Sequence, residues 1–445
     1  GYDFIVWDDS STSRNNISEE IKHKHGIDLH TSFVEPNNQQ WKDIDYLIMS
    51  PGIPLSHPKP HEIVELIKRD NVKIICDIEL FYLLYPNNKY IGITGTNGKS
   101  TITALTYHII NNITNNAILA GNIGKPIFSI APLEGKIIIL EISSYQIDLL
   151  DSIRFSVSAL SNITPDHIDR HGSLKNYINI KYQLLSRLNH KTAIINLDSA
   201  VTELLYSKLK HSKHNVIPTS TKTALNNGVS IRNNVIQDNV SHKIINVPNN
   251  NYLIGEHNAQ NLVIAYTIAS QVQNISEQNL FKIISSFEGL KHRMQFVNKY
   301  KNITFINDSK GTNAVSTLQA LQSYKNIYWI LGGIAKDDGI TPLIQTLSNV
   351  KYAFAIGQAK HMFATILKEY NTTCSIKENL AEAFAEATTK ALQDKGDIVI
   401  LLSPACSSFD QWKNFEERGD AFIKLTNVGT AISPMQIISN TKQTL

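Results

Sequence analysis

Cysteine is scarce in this chain. Cys76, Cys374 and Cys406 lie far apart, with no CxxC pair among them. That argues against a cysteine-built zinc site and for a reducing compartment. Long apolar runs are missing too. None reaches the roughly 18 residues of a membrane-spanning helix, and no signal peptide opens the chain. Strong net charge is absent: 42 Lys and Arg against 39 Asp and Glu leave +3. That is too mild for a nucleic-acid partner, although it suits small anionic substrates. Tandem repeats and low-complexity linkers are lacking. What remains, with 42% hydrophobic and 18% charged residues over 445 positions, is a soluble globular chain. It is too long for one core, so two or three domains are expected.

The most informative stretch is 89–111, KYIGITGTNGKSTITALTYHIIN. Tyr90 to Thr94 reads as a buried strand, Gly95-Thr96-Asn97-Gly98 as a tight turn, and Lys99-Ser100-Thr101 as a helix start. A strand, a glycine loop and a helix N-terminus in that order make an anion cradle. The first helical N–H groups lack intrahelical partners, and the helix dipole adds partial positive charge. Lys99 adds a full charge, and the adjacent hydroxyl can ligate Mg²⁺. The match to G-x-x-x-x-G-K-[ST] is imperfect, because Ile93 stands where the first glycine belongs. The competing reading is an ordinary βα turn with an exposed lysine.

Ahead of this loop, residues 1–85 alternate strand and helix signals: strands at 2–7, 46–49 and 72–76, and a helix at 61–69. Ligands of such a parallel sheet collect beyond strand C-termini, here Asp8, Asp9 and Ser50-Pro51-Gly52. A doubly wound domain has a strand, loop and helix before a strand like 2–7. The first unit therefore reads as missing.

After the loop, 137–140 reads as a central strand ending in Glu141. An ionised carboxylate buried there is costly unless a cation meets it, so Mg²⁺ is the economical partner; a salt bridge or solvated strand end is the alternative. A strand at 157–160 leads into the ligand-dense Asn162–Arg170, where His167 is a candidate for metal or phosphate. Ser173 opens a helix carrying Lys175, Lys181 and Arg187, and spacing alone singles out none of them. Another strand fits 192–196, and short antiparallel strands are expected within 212–250. Asn258 reads as the N-cap of a helix at 259–270, with Asn261 on its face. From 291 onward a third α/β unit is expected. Its strands fall at 303–306, 327–331, 352–356 and 398–402, and its helices at 313–322, 360–368, 380–392 and about 410–424. Polar clusters 307–312, 332–336 and 403–408 should line one rim and bind an anion.

Taken together, several motifs resemble the Mur ligase superfamily, which includes folylpolyglutamate synthases. They are Gly95–Thr101, Gly121-Asn122-Ile123-Gly124, Glu141-Ile142-Ser143-Ser144-Tyr145-Gln146, Asp166-His167-Ile168-Asp169-Arg170 and Gly255-Glu256-His257-Asn258. Segment 402–419, LSPACSSFDQWKNFEERG, is similar to that of the members adding D-glutamate. The resemblance spans essentially the whole chain. It implies an α/β fold of three domains. A Rossmann-like UDP-substrate domain (1–85) precedes a P-loop ATPase-like domain with a parallel sheet (86–290) and a Rossmann-like amino-acid domain (291–445).

The implied activity is ATP-dependent amide bond formation between UDP-N-acetylmuramoyl-L-alanine and D-glutamate, through an acyl phosphate, in peptidoglycan precursor synthesis. By motif position, Gly95, Thr96, Asn97, Gly98, Lys99, Ser100 and Thr101 would hold ATP phosphates. Asn258, Asn261, Arg293 and Asp308 would face adenine, ribose and phosphates. Ser100 and Glu141 would ligate one Mg²⁺ and His167 a second, helped by a Lys181 carbamylated by CO₂. Asp8, Asp9, Ser50 and Gly52 would meet the UDP moiety, and Asn122 and Ser143 the muramoyl-alanine. Lys310, Thr312, Lys336, Ser408 and Phe415 would grip D-glutamate. A cytoplasmic monomer whose domains close around substrates is expected. The missing first unit implies weakened UDP-substrate binding with the ATP loop intact. The alternatives are a sibling ligase adding another residue, against which 403–419 argues, and a nucleotide-binding protein without ligase activity, against which Glu141, His167 and Lys181 argue.

Overall fold

The computed structural model describes residues 3–29, 32–36, 39–67, 72–124, 126–130, 133–335 and 339–431. The chain divides into two units, Gly1–Ile245 with Gln260–Ser276, and Asn246–Ala259 with Glu277–Leu445.

In the first unit, α1 (Ser11–His25) begins where the Ser10 side chain accepts from the Ser13 amide and stops at Gly26. β1 (Tyr46–Ile48) and β2 (Lys73–Ile75) pair in parallel. α2 (Glu62–Ile67) buries Ile63, Val64 and Ile67 against them, with Trp41 and Met49 in the same cluster. The strand expected at 2–7 does not form: its described residues make one isolated bridge, Val6 to Phe33. Local side-chain bonds compete with a ladder there. Trp7 Nε1 donates to Asp9 and the Ser10 amide to Asp8, which bends the chain into the start of α1.

The larger sheet of this unit takes nine strands. They are β3 (Lys89–Thr94), β4 (Ala117–Gly121), β5 (Ile137–Glu141), β6 (Phe155–Leu160), β7 (Leu188–Asn196), β8 (Asn215–Ser220), β9 (Val229–Arg232), β10 (Val235–Asp238) and β11 (Lys243–Asn246). Their order is β11-β10-β9-β8-β7-β6-β3-β5-β4. From β4 across the sheet to β9 every pairing is parallel, and only the β9–β10 pairing is antiparallel among the registers described. The antiparallel strands expected within 212–250 are thus corrected in part, since β8 and β9 extend the parallel sheet. Every residue of β5 is buried, as expected of a strand covered by helices on both faces. β3 lies between β5 and β6, so the strand order reverses at its C-terminal end. That is the switch point where α/β sheets open a crevice for ligands.

Around the sheet run α3 (Asp77–Leu84), α4 (Lys99–Thr114), α5 (Ser144–Ile147), α6 (Ile168–His171), α7 (Leu174–Ser186), α8 (Ala200–Leu209) and α9 (Glu256–Ser270). α9 starts before the expected cap. The Asn258 and Ala259 amides both donate to Gly255 O, so Asn258 is a first-turn residue, not the N-cap.

The second unit holds α10 (Glu277–Ser285) and six strands. These are β12 (Gln295–Tyr300), β13 (Ile303–Asn307), β14 (Ile327–Gly332), β15 (Val350–Ile356), β16 (Cys374–Ile376) and β17 (Ile398–Leu402), in the order β12-β13-β17-β14-β15-β16. Only β12 is antiparallel to its neighbour. α11 (Ala314–Ser323), α12 (Lys360–Glu369), α13 (Leu380–Gln393) and α14 (Phe415–Ala431) connect or flank the strands. α14 begins at Phe415, not near 410, because Asn414 accepts from the Glu417 amide and caps it there. The fold is mixed α/β, and parallel pairing dominates its sheets. Among the described residues no helix is long and apolar enough to cross a membrane.

Candidate active site

The loop after β3 can be formed only with glycine at two points. A Cβ at Gly95, whose φ is +155°, would meet Ser161 Oγ at 1.9 Å. A Cβ at Gly98, with φ of +82°, would meet Asn261 Oδ1 at 2.3 Å. Gly98 caps α4, and Lys99 is its first residue. The loop is stapled from β6: the Asn97 amide donates to Asn162 Oδ1 at 2.9 Å, and Ser161 Oγ donates to Asn97 O at 2.8 Å. Asn162 is tied in turn through Gln260 to Asn196 and Asp198. Lys99 Nζ donates to Gly95 O at 2.9 Å and Thr96 O at 2.8 Å. The ammonium is thus held over its own loop, where a polyphosphate would lie.

Lys99, Ser143, Ser144, Tyr145, Asp166, His167, Tyr177 and Lys181 line one pocket beside this loop. Four elements deliver them. Ser143 caps α5 in a full capping box with Gln146, which fixes 143–146 at the end of β5. His167 takes a left-handed φ of +52° at the start of α6. Its Nδ1 lies 3.0 Å from Tyr145 Oη, and its Nε2 is 3.4 Å from Asp166. Lys181 sits on the buried face of α7, 1% exposed, and donates to Gly95 O at 2.8 Å. Burial, and then the neighbouring Lys99 charge, hold its amine well below the ordinary lysine value, while Asp166 and Glu141 pull the other way.

Glu141 ends β5 and is 2% exposed. Its Oε1 accepts from Asn122 Nδ2 at 2.9 Å, while Oε2 is buried with no hydrogen-bond partner. An orphaned carboxylate oxygen beside a phosphate loop fits a hard cation, and Ser100, buried in the first turn of α4, can supply a hydroxyl. Among the described residues no three His, Cys, Asp or Glu side chains gather as a ready-made cage. An ion would therefore need phosphate oxygens or water as further ligands, which is the usual habit of Mg²⁺. Unmodified Lys181 offers only an amine that donates to Gly95 O and Thr94 Oγ1, so it does not fit as a ligand in that form.

His171, at the end of α6, is 4% exposed and 2.9 Å from Ser144 Oγ. Burial, with His167, Arg170 and Lys181 around it, pushes its imidazole down from 6.5 to about 4. Above pH 6.5 the ring is neutral folded or unfolded and contributes no pH dependence. As pH falls through 6.5 toward 4, the unfolded chain takes up a proton that the folded one refuses, and stability drops. We expect His171→Gln to remove about 1–2 kcal/mol of the stability lost between pH 7 and pH 5. Urea midpoints of both proteins at the two pH values check it.

Of the other expected site residues in this unit, Asp8 and Asp9 are exposed, and Asp9 is 3.1 Å from His61 Nε2. The Ser50-Pro51-Gly52 turn is gripped by Arg170. Those in the second unit stand apart in sequence and are placed as follows. Asn258 Nδ2 donates to Ile254 O. Asp308 is buried, with its oxygens on Ser403 Oγ and the Met294 amide, and burial raises it to about 6. Arg293 is half-buried next to Met294. Lys310 lies 5.6 Å from the Phe415 ring, Ser309 bonds Phe415 O, and the Thr312 amide donates to Lys310 O. Ser408 is buried and accepts from the Gln411 and Trp412 amides. Lys336 lies outside the described residues. Sequence reasoning missed Tyr145, Ser161, His171 and Tyr177 as site-builders. All but Tyr177 belong to motifs it had quoted or adjoin the polar stretch after β6.

A glycine loop and helix start at a sheet switch point, with a buried carboxylate ending the adjacent strand, is an arrangement suited to a nucleotide in an α/β protein. Comparison with known proteins is more specific. The Mur ligase middle domain family matches residues 93–269, and the Mur ligase, glutamate ligase domain family matches 292–406. The UDP-N-acetylmuramoylalanine--D-glutamate ligase of Rickettsia prowazekii is 40% identical over 429 residues, 96% of this chain and 93% of that protein. The protein of the same name in Rhizobium meliloti is 37% identical, covering 95% and 90%. Among solved structures, the UDP-N-acetylmuramate-alanine ligase MurC of Thermotoga maritima matches with a TM-score of 0.57 at 15% identity, covering 92% of this chain and 91% of that one. MurF ligase of the same organism, in complex with ADP, gives 0.55 at 12%, covering 88% and 100%; at such identity the likeness speaks for the fold. The chain belongs to the Mur ligase family.

Proposed function

We propose that this chain joins D-glutamate to UDP-N-acetylmuramoyl-L-alanine at the expense of ATP, in peptidoglycan precursor synthesis. The observation that carries the reading is near-full-length identity of 40% to a relative named for that reaction. The geometry around Lys99 and Glu141 supports the chemistry.

A carboxylate is a poor electrophile, so one of its oxygens must become part of a leaving group. The alanyl carboxylate attacks the γ-phosphorus, ADP departs, and an acyl phosphate results. The amine of D-glutamate then adds to the acyl carbon, loses a proton, and expels phosphate with that oxygen. Charge accumulates on phosphoryl and tetrahedral oxygens. Lys99 and the amides opening α4 oppose it on the nucleotide side. Glu141 and Ser100 would hold Mg²⁺, which would supply Lewis-acid charge there. His167 near a second ion, a carbamylated Lys181, a monomeric state and a cytoplasmic setting belong to the same proposal. A neutral buried amine is the form that reacts with CO₂, so the low proton affinity of Lys181 favours that modification. Asn122 and Ser143 would lie along the muramoyl-alanine, Asn258, Asn261, Arg293 and Asp308 along the nucleoside side, and Lys310, Thr312, Lys336, Ser408 and Phe415 around D-glutamate. The division at about 85 and 290 into UDP-substrate, ATP and amino-acid domains is part of the proposal.

Phosphate release with ATP, Mg²⁺ and the muramoyl-alanine nucleotide tests it. D-Glutamate should support turnover at least a hundredfold faster than L-glutamate or other amino acids. Preference for a different amino acid would make the protein a sibling ligase instead.

A further inference from the structure

Arg170 is one of the residues of the Asp166–Arg170 motif that the chemistry above leaves unused. It is 8% exposed, so its guanidinium is largely withdrawn from water. Its Nη2 donates to Ile53 O at 2.5 Å and to Pro51 O at 3.3 Å, across 117 and 119 residues of chain. Its guanidinium carbon lies 5.2 Å from the centre of the Tyr145 ring. The Tyr145 hydroxyl is the group at His167 Nδ1. The same loop touches α6 a second time: a Cβ on Gly172, directly after α6, would meet His57 Nε2 at 2.6 Å. The loop carrying Ser50, Gly52 and His57 is thereby seated on the short helix that His167 opens.

Burying a guanidinium is expensive, and an apolar side chain would pack the same space at lower cost. What an arginine adds is geometry. One planar NH₂ group bonded to two main-chain carbonyls fixes a backbone position, and the guanidinium face can rest on an aromatic ring at the same time. The turn itself has one internal bond in view, Ile53 amide to Ser50 O at 3.0 Å, so it depends on outside support.

We propose that Arg170 is a positioning residue for the sugar-nucleotide substrate, fixing the Pro51–Ile53 turn against the Tyr145–His167 pair. This rests on the reading above that the 50–52 turn meets that substrate. A bare structural role would disturb the ATP loop or the whole fold alike; positioning would separate the two substrates.

The test compares the parent with Arg170→Ala and Arg170→Lys by three readouts. First, amide hydrogen exchange of peptides covering 50–58 should speed up at least tenfold in Arg170→Ala, with 95–101 unchanged. Second, KM for UDP-N-acetylmuramoyl-L-alanine should rise at least tenfold while the Kd of ATP moves less than twofold. Third, Arg170→Lys, which keeps a donor but not the planar guanidinium beside Tyr145, should fall between. Unchanged exchange at 50–58 would overturn the clamp, whatever the substrate is. Faster exchange with an unchanged KM would overturn its role in substrate placement. A parent with no turnover on that nucleotide would refute the substrate reading itself, and the proposal's substrate half with it, while exchange still decides the clamp.

Discussion

Lys99→Ala should lower kcat/KM for ATP by at least a thousandfold while leaving the fold in place. The side chain is half-buried and bonded to carbonyls of its own loop. Removing it deletes the full positive charge nearest the phosphate cradle. Single preorganised donors to a developing oxyanion are commonly worth about a hundred- to a thousandfold, and a charged one in a water-poor loop belongs at the upper end. The loop should survive the loss, because Ser161, Asn162 and Thr96 staple it independently. A change in unfolding free energy of under about 1 kcal/mol is expected. Lys99→Arg should rescue little, since a planar fork does not replace a compact point charge at a polyphosphate. Phosphate release and a thermal melt, measured together, check both halves; turnover near the parent's would reject the assigned loop.

Glu141→Gln should push activity and stability in opposite directions. One carboxylate oxygen is bonded to Asn122 and the other is buried without a partner. In a metal-free protein that charge is a liability. Glutamine preserves the Asn122 bond and removes the charge, so in EDTA the variant should be as stable as the parent or more stable by about 1–2 kcal/mol. Activity should fall at least a hundredfold, and the Mg²⁺ concentration needed for half-maximal rate should rise at least tenfold. Functional sites commonly store such local cost. A variant that melts earlier in EDTA and keeps its Mg²⁺ dependence would make Glu141 a structural residue instead.

The parts of this fold legible in the sequence share a physical cause. β5 and β17 are continuous apolar runs because both faces are covered, and the glycine loop after β3 reads from its punctuation alone. Spacing alone left Lys181 illegible for the opposite reason, and only the motif resemblance singled it out. A lysine on a helix is usually solvated, and only the packing of α7 against β3 and β6 shows this one to be inside. Residues 2–7 have strand composition, and the described ones among them find no ladder to join. Tyr145 joins His167 through a bond spanning 22 residues, a tertiary fact with no periodic trace. The true start of α14 was present as Asn414-Phe415-Glu416-Glu417, a cap followed by first-turn acids. It is overshadowed by the polar run before it.

The central claim is that the pocket around Lys99 and Glu141 makes an acyl phosphate. Isotope transfer tests this most directly. UDP-N-acetylmuramoyl-L-alanine carrying ¹⁸O in its alanyl carboxylate is turned over with ATP, Mg²⁺ and D-glutamate, and the released phosphate is weighed by mass spectrometry. The account predicts one carboxylate ¹⁸O in each phosphate formed. Unlabelled phosphate accompanying amide formation would contradict it.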